Sequence, residues 1–221
     1  MSRRYYSKYK KTSHHKYKSS IQLFSKNEKQ AFHILAEFIR LFIRIIVAIY
    51  EVIIEISIYA RRFVKNHNAL KDIGYDLEEI LDLVTKITPR QFEIMIAELF
   101  KSTGKYTKVE ITPPTADYGR DVILTANING FEVVTFVEVK HYSKKNMVGR
   151  EIAMKLLGSC ATFGVEKAII ITTGTFHRNA YEIAGRVDNL RLMDYMDIEK
   201  MILDLNANQI SGIMMRTLNA S

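Results

Sequence analysis

The sequence of 221 residues contains a single cysteine, Cys160, so no disulfide bond can form within the chain. One unpaired thiol is typical of a reducing compartment, and we expect a cytoplasmic protein. Cys160 lies in an apolar helical pattern, which predicts a small core residue. No zinc-site spacing of cysteine and histidine is present, and the adjacent His14 and His15 lie in a polar tail. The sequence therefore indicates neither a disulfide-stabilised domain nor a zinc domain.

The first 20 residues lack acidic side chains and contain almost no aliphatic ones. They include four tyrosines and seven basic residues: Arg3, Arg4, Lys8, Lys10, Lys11, Lys16 and Lys18. Such a segment cannot bury a core, so residues 1–27 are predicted to be a disordered basic arm. The arm can bind nucleic acid or an anionic lipid surface, and the alternative is a solubilising tail. It does not resemble a secretory signal, because the apolar stretch begins too late and no small-residue cleavage site follows it.

Residues 41–60 form a hydrophobic run without glycine or proline, inside a long apolar helix predicted for residues 28–65. The run is long enough to cross a bilayer, but Arg44, Glu51 and Glu55 interrupt it. A charge near the bilayer centre costs about 2.5–3.5 kcal/mol, whereas each aliphatic residue returns only about 0.3–0.6 kcal/mol. Together with Glu37, these charges form one stripe along a helix. The pattern leaves open membrane association, oligomerisation with the stripe turned inward, or packing on the rest of the chain.

Residues 66–87 are predicted to be a linker followed by a helix, because Asn66-His67-Asn68 is a polar break and residues 77–84 have amphipathic spacing. A separate domain is predicted for residues 88–221. It opens with a capping box, in which Thr88 stands three residues before Gln91 and Pro89 occupies the first helical position. The helix is expected to end near residue 102.

The rest of this domain alternates between strand and helix patterns. Strands are predicted at 106–111, from 122, at 131–140, at 167–173 and at 190–193. Helices are predicted at 148–163, from Gly174 and from Asp197 onward. An antiparallel hairpin followed by alternating strands and helices predicts an α/β fold with a mixed sheet and helices on both sides.

Three charged side chains are predicted to converge on this hairpin. Asn129-Gly130 is a strong hairpin signal between the second and third strands. Glu138 and Lys140 are two residues apart on the third strand, so both project from one face, and the turn can bring Asp121 beside them. Two carboxylates and an ammonium group can hold Mg²⁺ and a water molecule against a phosphodiester. The alternative is a solvated ion pair with little energetic value.

The residues around these three resemble a known family. The stretches Gly119-Arg120-Asp121-Val122 and 137–142, Val-Glu-Val-Lys-His-Tyr, are similar to the core of Mrr-type restriction endonucleases in the PD-(D/E)xK nuclease superfamily. The resemblance extends from about residue 88 to 205 and includes Thr-Thr-Gly-x-Phe at 172–176. It implies a restriction-endonuclease-like mixed sheet flanked by helices, and a metal-dependent DNA endonuclease of a restriction or defence system.

The resemblance also implies roles for individual residues. Asp121 and Glu138 would bind Mg²⁺, with Mn²⁺ as a substitute, and Lys140 would position and activate the attacking water. Glu93 would support the cluster, because Phe92-Glu93 matches a Phe-Glu pair on the first helix of Mrr-type domains. Many members have Gln where this chain has Glu138, and the acid favours metal binding.

DNA is the partner that the resemblance implies. His141, Lys144, Lys145 and Arg150 are candidate DNA-binding residues, whereas Asp117 is expected to form a turn. A homodimer is expected if both duplex strands are cut. Residues 1–75 do not resemble the winged-helix domain of fuller Mrr proteins, so recognition of modified bases is not supported. The alternatives are a catalytically silent DNA-binding protein tethered to a membrane or partner, and a repair or junction nuclease.

Overall fold

The computed structural model describes residues 26–72, 74, 76–113, 119–143 and 145–220. The chain divides into two compact units, with the boundary between Ser57 and Ile58. The predicted arm at 1–27 falls almost entirely outside the described residues, as do Asp117 and Lys144.

The elements in chain order are as follows. The helices are α1 (Lys26–Asp72), α2 (Leu77–Leu83), α3 (Pro89–Ser102), α4 (Arg150–Phe163), α5 (Arg178–Ala184), α6 (Tyr195–Leu203) and α7 (Ala207–Leu218). The strands are β1 (Lys108–Ile111), β2 (Val122–Ile128), β3 (Phe131–Lys140), β4 (Met147–Val148), β5 (Lys167–Thr172), β6 (Thr175–Phe176) and β7 (Leu190–Met193).

The main sheet has five strands in the order β1-β2-β3-β5-β7. Strands β1, β2 and β3 are antiparallel, while β3, β5 and β7 are parallel. One face packs Val137 and Val139 against α3, α6 and α7, and the other packs Phe136 against α4 and α5. This agrees with the predicted mixed sheet between two helical layers, and Cys160 lies in the second layer as a buried core residue.

The hairpin between β2 and β3 follows directly from its turn. Asn129 and Gly130 have φ angles of 54° and 89°, which a two-residue type I′ turn requires at both central positions. The Oδ1 atom of Asn127 accepts a hydrogen bond from the Gly130 N–H at 2.9 Å. The turn sets the pairing from Ile128 opposite Phe131 to Val122 opposite Val137.

The capping box of α3 is confirmed. Thr88 Oγ1 accepts from the Gln91 N–H at 3.2 Å, and Gln91 Oε1 accepts from the Thr88 N–H at 3.0 Å. Helix α3 begins at Pro89, ends at Ser102 and buries Phe92 and Met95 against the sheet. The start of this helix is therefore fixed by local chemistry that the sequence reveals.

The interpretation of residues 66–68 as a polar break was wrong. Helix α1 continues through these residues to Asp72. Asn66 is buried and donates to the carbonyl oxygens of Leu203 and Leu205, at 2.9 Å each. These carbonyls lie at the end of α6, where they lack intrahelical partners, so Asn66 caps a distant helix instead of ending its own.

The segment after β5 also differs from its prediction. No helix starts at Gly174; Thr175 and Phe176 instead pair with Met147 and Val148 as two short parallel strands. Helix α5 begins only at Arg178, after His177, whose Nδ1 atom accepts from the Asn179 N–H at 3.3 Å. The helix predicted from Asp197 begins at Tyr195, because Asp194 caps it.

Within the described residues, no helix combines the length and hydropathy needed to cross a membrane.

Candidate active site

The pairing of β2 with β3 places Asp121 beside Glu138. Asp121 directly precedes Val122, whose partner is Val137, so Asp121 stands opposite Glu138 and on the same face. The Asp121 N–H donates to the Val137 carbonyl at 2.8 Å. The Asp121 Oδ2 atom accepts from the Val139 N–H at 2.6 Å. The backbone of β3 therefore holds this carboxylate in place.

Glu138 and Lys140 project together, as strand alternation predicts. The Lys140 Nζ atom lies 2.6 Å from Glu138 Oε1, with side-chain exposures of 25% for the lysine and 3% for the glutamate. The second oxygen, Glu138 Oε2, is buried and has no hydrogen-bond partner among the described residues. A buried carboxylate oxygen without a donor is costly, and it is suited to a cation.

Burial and neighbouring charge shift the pKa values of this group. Desolvation, followed by the charge of Glu138, raises the pKa of Asp121 from 3.8 to about 7. For Lys140, burial lowers the pKa, but the Glu138 and Asp121 carboxylates outweigh burial and hold it above its ordinary value. Lys140 is therefore an ammonium ion at neutral pH, and Asp121 binds a proton readily in the absence of a cation.

Glu93 is near this group but is held by another partner. Arg90 Nη1 lies 2.6 Å from Glu93 Oε2 and donates to the Thr112 carbonyl at 3.1 Å. The charge of Glu93 contributes to the raised pKa of Asp121, so it acts on the site. Within the described ranges, no three His, Cys, Asp or Glu side chains form a metal-binding group. The structure thus brings two carboxylates together and leaves the third on Arg90.

Arg90 was not predicted from the sequence to be a partner of Glu93. It lies three residues before Glu93, a spacing that places two side chains together on a helix. Arg90 also donates to the carbonyl of Thr112, the residue that follows β1, and so links α3 to the sheet. The Thr112 N–H donates to the Asp121 carbonyl at 2.9 Å. This second link depends on tertiary packing and leaves no signal in the sequence.

The candidate DNA-binding residues fall into two groups. His141 is half-buried, with Nε2 3.0 Å from the Val84 carbonyl oxygen and its ring centroid 5.0 Å from that of Phe92. Lys145 and Arg150 are exposed to solvent. His141 is thus packed against α3, whereas the two basic residues are accessible to a polyanion.

Two threonines of the Thr-Thr-Gly-x-Phe motif, for which the sequence predicted no role in the site, support the end of β3. Thr172 Oγ1 donates to the Lys140 carbonyl at 2.8 Å and accepts from the Gly174 N–H at 3.0 Å. Thr173 Oγ1 donates to the Tyr142 carbonyl at 2.8 Å. Both threonines are buried. Their signal is the polar end of an otherwise apolar strand, which often lies beside a site in a parallel sheet.

Comparison with known families identifies this arrangement. Residues 84–202, more than half of the chain, match the Mrr_cat family, which is described as restriction endonuclease. The chain belongs to this family. The matched region includes α3 and the seven strands of the described residues, and it includes Asp121, Glu138 and Lys140.

Two curated relatives are similar to this chain, and one of them carries the Mrr name. An uncharacterized protein, y4cE of Sinorhizobium fredii, is 28% identical over 137 residues, covering 60% of this chain and 34% of the relative. The type IV methyl-directed restriction enzyme EcoKMrr of Escherichia coli is 25% identical over 120 residues, covering 53% of this chain and 38% of that enzyme. The Mrr_cat chain thus spans little more than a third of the length of either relative.

Two solved structures share the fold. The DNA modification-dependent restriction endonuclease AspBHI aligns with a TM-score of 0.51 and 21% identity, over 65% of this chain and 39% of that chain. The MspJI restriction endonuclease, solved with a 27-mer oligonucleotide, aligns with a TM-score of 0.51 and 17% identity, over 62% of this chain and 33% of that chain. The Mrr_cat domain therefore has a restriction endonuclease fold.

Proposed function

We propose that this Mrr_cat protein is a metal-dependent endonuclease that hydrolyses DNA phosphodiester bonds. The observation that carries the proposal is the close set of Asp121, Glu138 and Lys140, in which Glu138 Oε2 is buried without a donor. A purely structural ion pair would leave no reason for a second buried acid beside it, since two adjacent carboxylates repel each other.

Asp121 and Glu138 would hold the cation. Mg²⁺ prefers hard oxygen ligands, and one or two carboxylates suffice when water and substrate phosphate complete the shell. When bound, a divalent cation lowers the pKa of a bound water and neutralises charge on the scissile phosphate. Mn²⁺ has similar ligand preferences and is expected to substitute.

Lys140 would act as an ammonium ion. Its raised pKa argues against a role as a general base at neutral pH. The Nζ atom can donate hydrogen bonds to the attacking water and to a phosphate oxygen, and so stabilise the charge that develops in the transition state. Glu93 would support the cluster from α3, where its negative charge contributes to the raised pKa of Asp121.

DNA is the proposed substrate. One structural neighbour was solved with an oligonucleotide, and the family is one of restriction endonucleases. Lys145 and Arg150 are exposed and would contact phosphates, with Lys144 beside them in sequence. His141 would act by holding the loop after β3 against α3 rather than by reading DNA. Restriction or defence is the biological role proposed from the family.

The test is nicking of supercoiled plasmid by the full-length protein in Mg²⁺ or Mn²⁺. We expect Lys140→Met to slow nicking by at least about 100-fold, and EDTA to abolish it. Lys108→Met is the matched control, because Lys108 and Glu110 form a similar ion pair of 2.8 Å on β1, with both side chains exposed. Equal nicking by the wild type and Lys140→Met would contradict the proposed site. If the wild type cuts neither plain nor methylated plasmid, the alternative of a catalytically silent DNA-binding protein is favoured, and DNA binding by the full-length protein tests it.

A further inference from the structure

Helix α1 exposes an unusually large hydrophobic surface in its N-terminal part. Between residues 30 and 57, the large hydrophobic side chains have exposures between 40% and 65%. They surround most of the helix, from Phe32 to Ile56. A contiguous apolar surface of this kind is unfavourable in water and marks an interaction site. Another surface must therefore cover this segment.

The charged residues of this segment all lie on one narrow stripe. They are Glu37, Arg40, Arg44, Glu51 and Glu55, at spacings of three, four, seven and four residues. At 100° per residue, the five side chains fall within an arc of about 60°. Arg40 pairs with Glu37 along the helix. Arg44, Glu51 and Glu55 make no ion pair with any other described residue.

The order of charges along the stripe is complementary to itself when two copies run in opposite directions. Arg44 then faces Glu51, and Arg40 faces Glu55. Both pairs are centred on the same point, between Val47 and Ala48. In a parallel pair, each charge would instead meet its own copy, which is repulsive.

We propose that α1 associates with α1 of a second copy of this chain in antiparallel orientation, with residues 38–57 in contact about a twofold axis beside Ala48. The contact extends over roughly 30 Å of helix. Burial of the apolar residues that flank the stripe drives association, while the four ion pairs select the antiparallel register. The apolar arc is wider than one neighbour covers, so pairs associate further into larger even-numbered assemblies.

A lipid surface fits these observations less well. Interfacial helices usually present lysine and arginine on the polar face, whereas this stripe has three acids and two bases. Anionic headgroups would repel the acids. Among the described helices, none is able to cross a membrane. A second copy of the chain satisfies both the apolar surface and the stripe.

Cysteine cross-linking of the full-length protein tests the orientation. In the antiparallel pair, the two copies of residue 48 are separated by about 2 Å along the helix axis, and the two copies of residue 41 by about 20 Å. A disulfide requires Cα atoms within about 7 Å. Ala48→Cys is therefore expected to form a disulfide-linked dimer on mild oxidation, and Leu41→Cys, one heptad away on the same face, to associate without forming one. The native Cys160 is buried and gives little background.

Charge exchange tests the stripe independently of the cysteines. Arg44→Glu places like charges opposite each other and is expected to raise the concentration for half-association by more than about tenfold, measured by light scattering. The double variant Arg44→Glu/Glu51→Arg restores opposite charges and should return association to near the wild-type value. Cross-linking of both cysteine variants, a single variant that associates normally, or a double variant that stays weak would overturn the proposal. Monomeric protein that floats with phosphatidylserine vesicles would overturn it as well.

Discussion

Replacement of Asp121 by Asn is expected to stabilise the metal-free protein while it removes a proposed metal ligand. Asp121 and Glu138 are two buried carboxylates on one face of a hairpin, and burial together with the charge of Glu138 raises the pKa of Asp121 from 3.8 to about 7. Asn keeps an oxygen that can accept from the Val139 N–H but carries no charge. The cost of ionising this position without a cation therefore disappears.

The magnitude and its pH dependence follow from the two pKa values. A carboxyl group with a raised pKa in the folded state contributes stability below the unfolded value of 3.8, and this stability is lost as the pH rises toward 7. Each unit of pH in this window corresponds to about 1.4 kcal/mol. Asp121→Asn should therefore exceed the wild type in free energy of unfolding by little at pH 4 and by as much as about 4 kcal/mol at pH 7.

Urea denaturation in EDTA at pH 4.5, 6 and 7.5 measures this difference directly. Glu132→Gln is the matched control, because Glu132 is an exposed carboxylate on the same hairpin and should leave stability close to that of the wild type. Addition of Mg²⁺ should stabilise the wild type more than Asp121→Asn. A variant that is no more stable than the wild type at pH 7.5, or a difference that does not change with pH, would refute the interpretation of these carboxylates as a crowded pair.

Two further predictions concern the scaffold around the site. A Cβ atom added at Gly174 would lie 2.6 Å from the Asn146 carbonyl oxygen. A Cβ atom added at Gly158 would have no atom within 4 Å outside its own helix backbone. Gly174→Ala should therefore lower stability by about 1–3 kcal/mol and reduce nicking, while Gly158→Ala in α4 should be neutral or stabilising; equal thermal midpoints for the two variants would contradict this. Thr88→Ala removes the capping box of α3 and should cost about 1 kcal/mol in chemical denaturation, whereas Thr88→Ser should retain most of it.

The parts of the fold that local chemistry determines were predictable from the sequence. Asn129-Gly130 set the hairpin, and strand alternation placed Glu138 and Lys140 on one face. Thr88 and Gln91 fixed the start of α3. The resemblance around Asp121 then pointed to the family to which the chain belongs. For the hairpin, the strand face and the helix start, the signal and its structural consequence lie within a few residues of each other.

The parts that were mispredicted depend on contacts between distant segments. Asn66 resembles a helix breaker locally, but carbonyls more than 130 residues away satisfy its side chain. Thr175 and Phe176 gain strand geometry only because Met147 and Val148 pair with them. The contact of His141 with Val84 is likewise invisible in the sequence. No pattern within a short window carries this information.

The turn at Asn129-Gly130 is a remote determinant of the candidate site. Asp121 faces Glu138 only because the hairpin pairs Val122 with Val137 and Ile128 with Phe131. A shift of one residue in this pairing would turn Asp121 to the opposite face of the sheet, since side chains alternate with a period of two. The positive φ angles of both turn residues exclude most other register choices. The turn, which lies at the opposite end of both strands from the carboxylates, therefore decides whether the two acids meet, and through them whether a cation can be held.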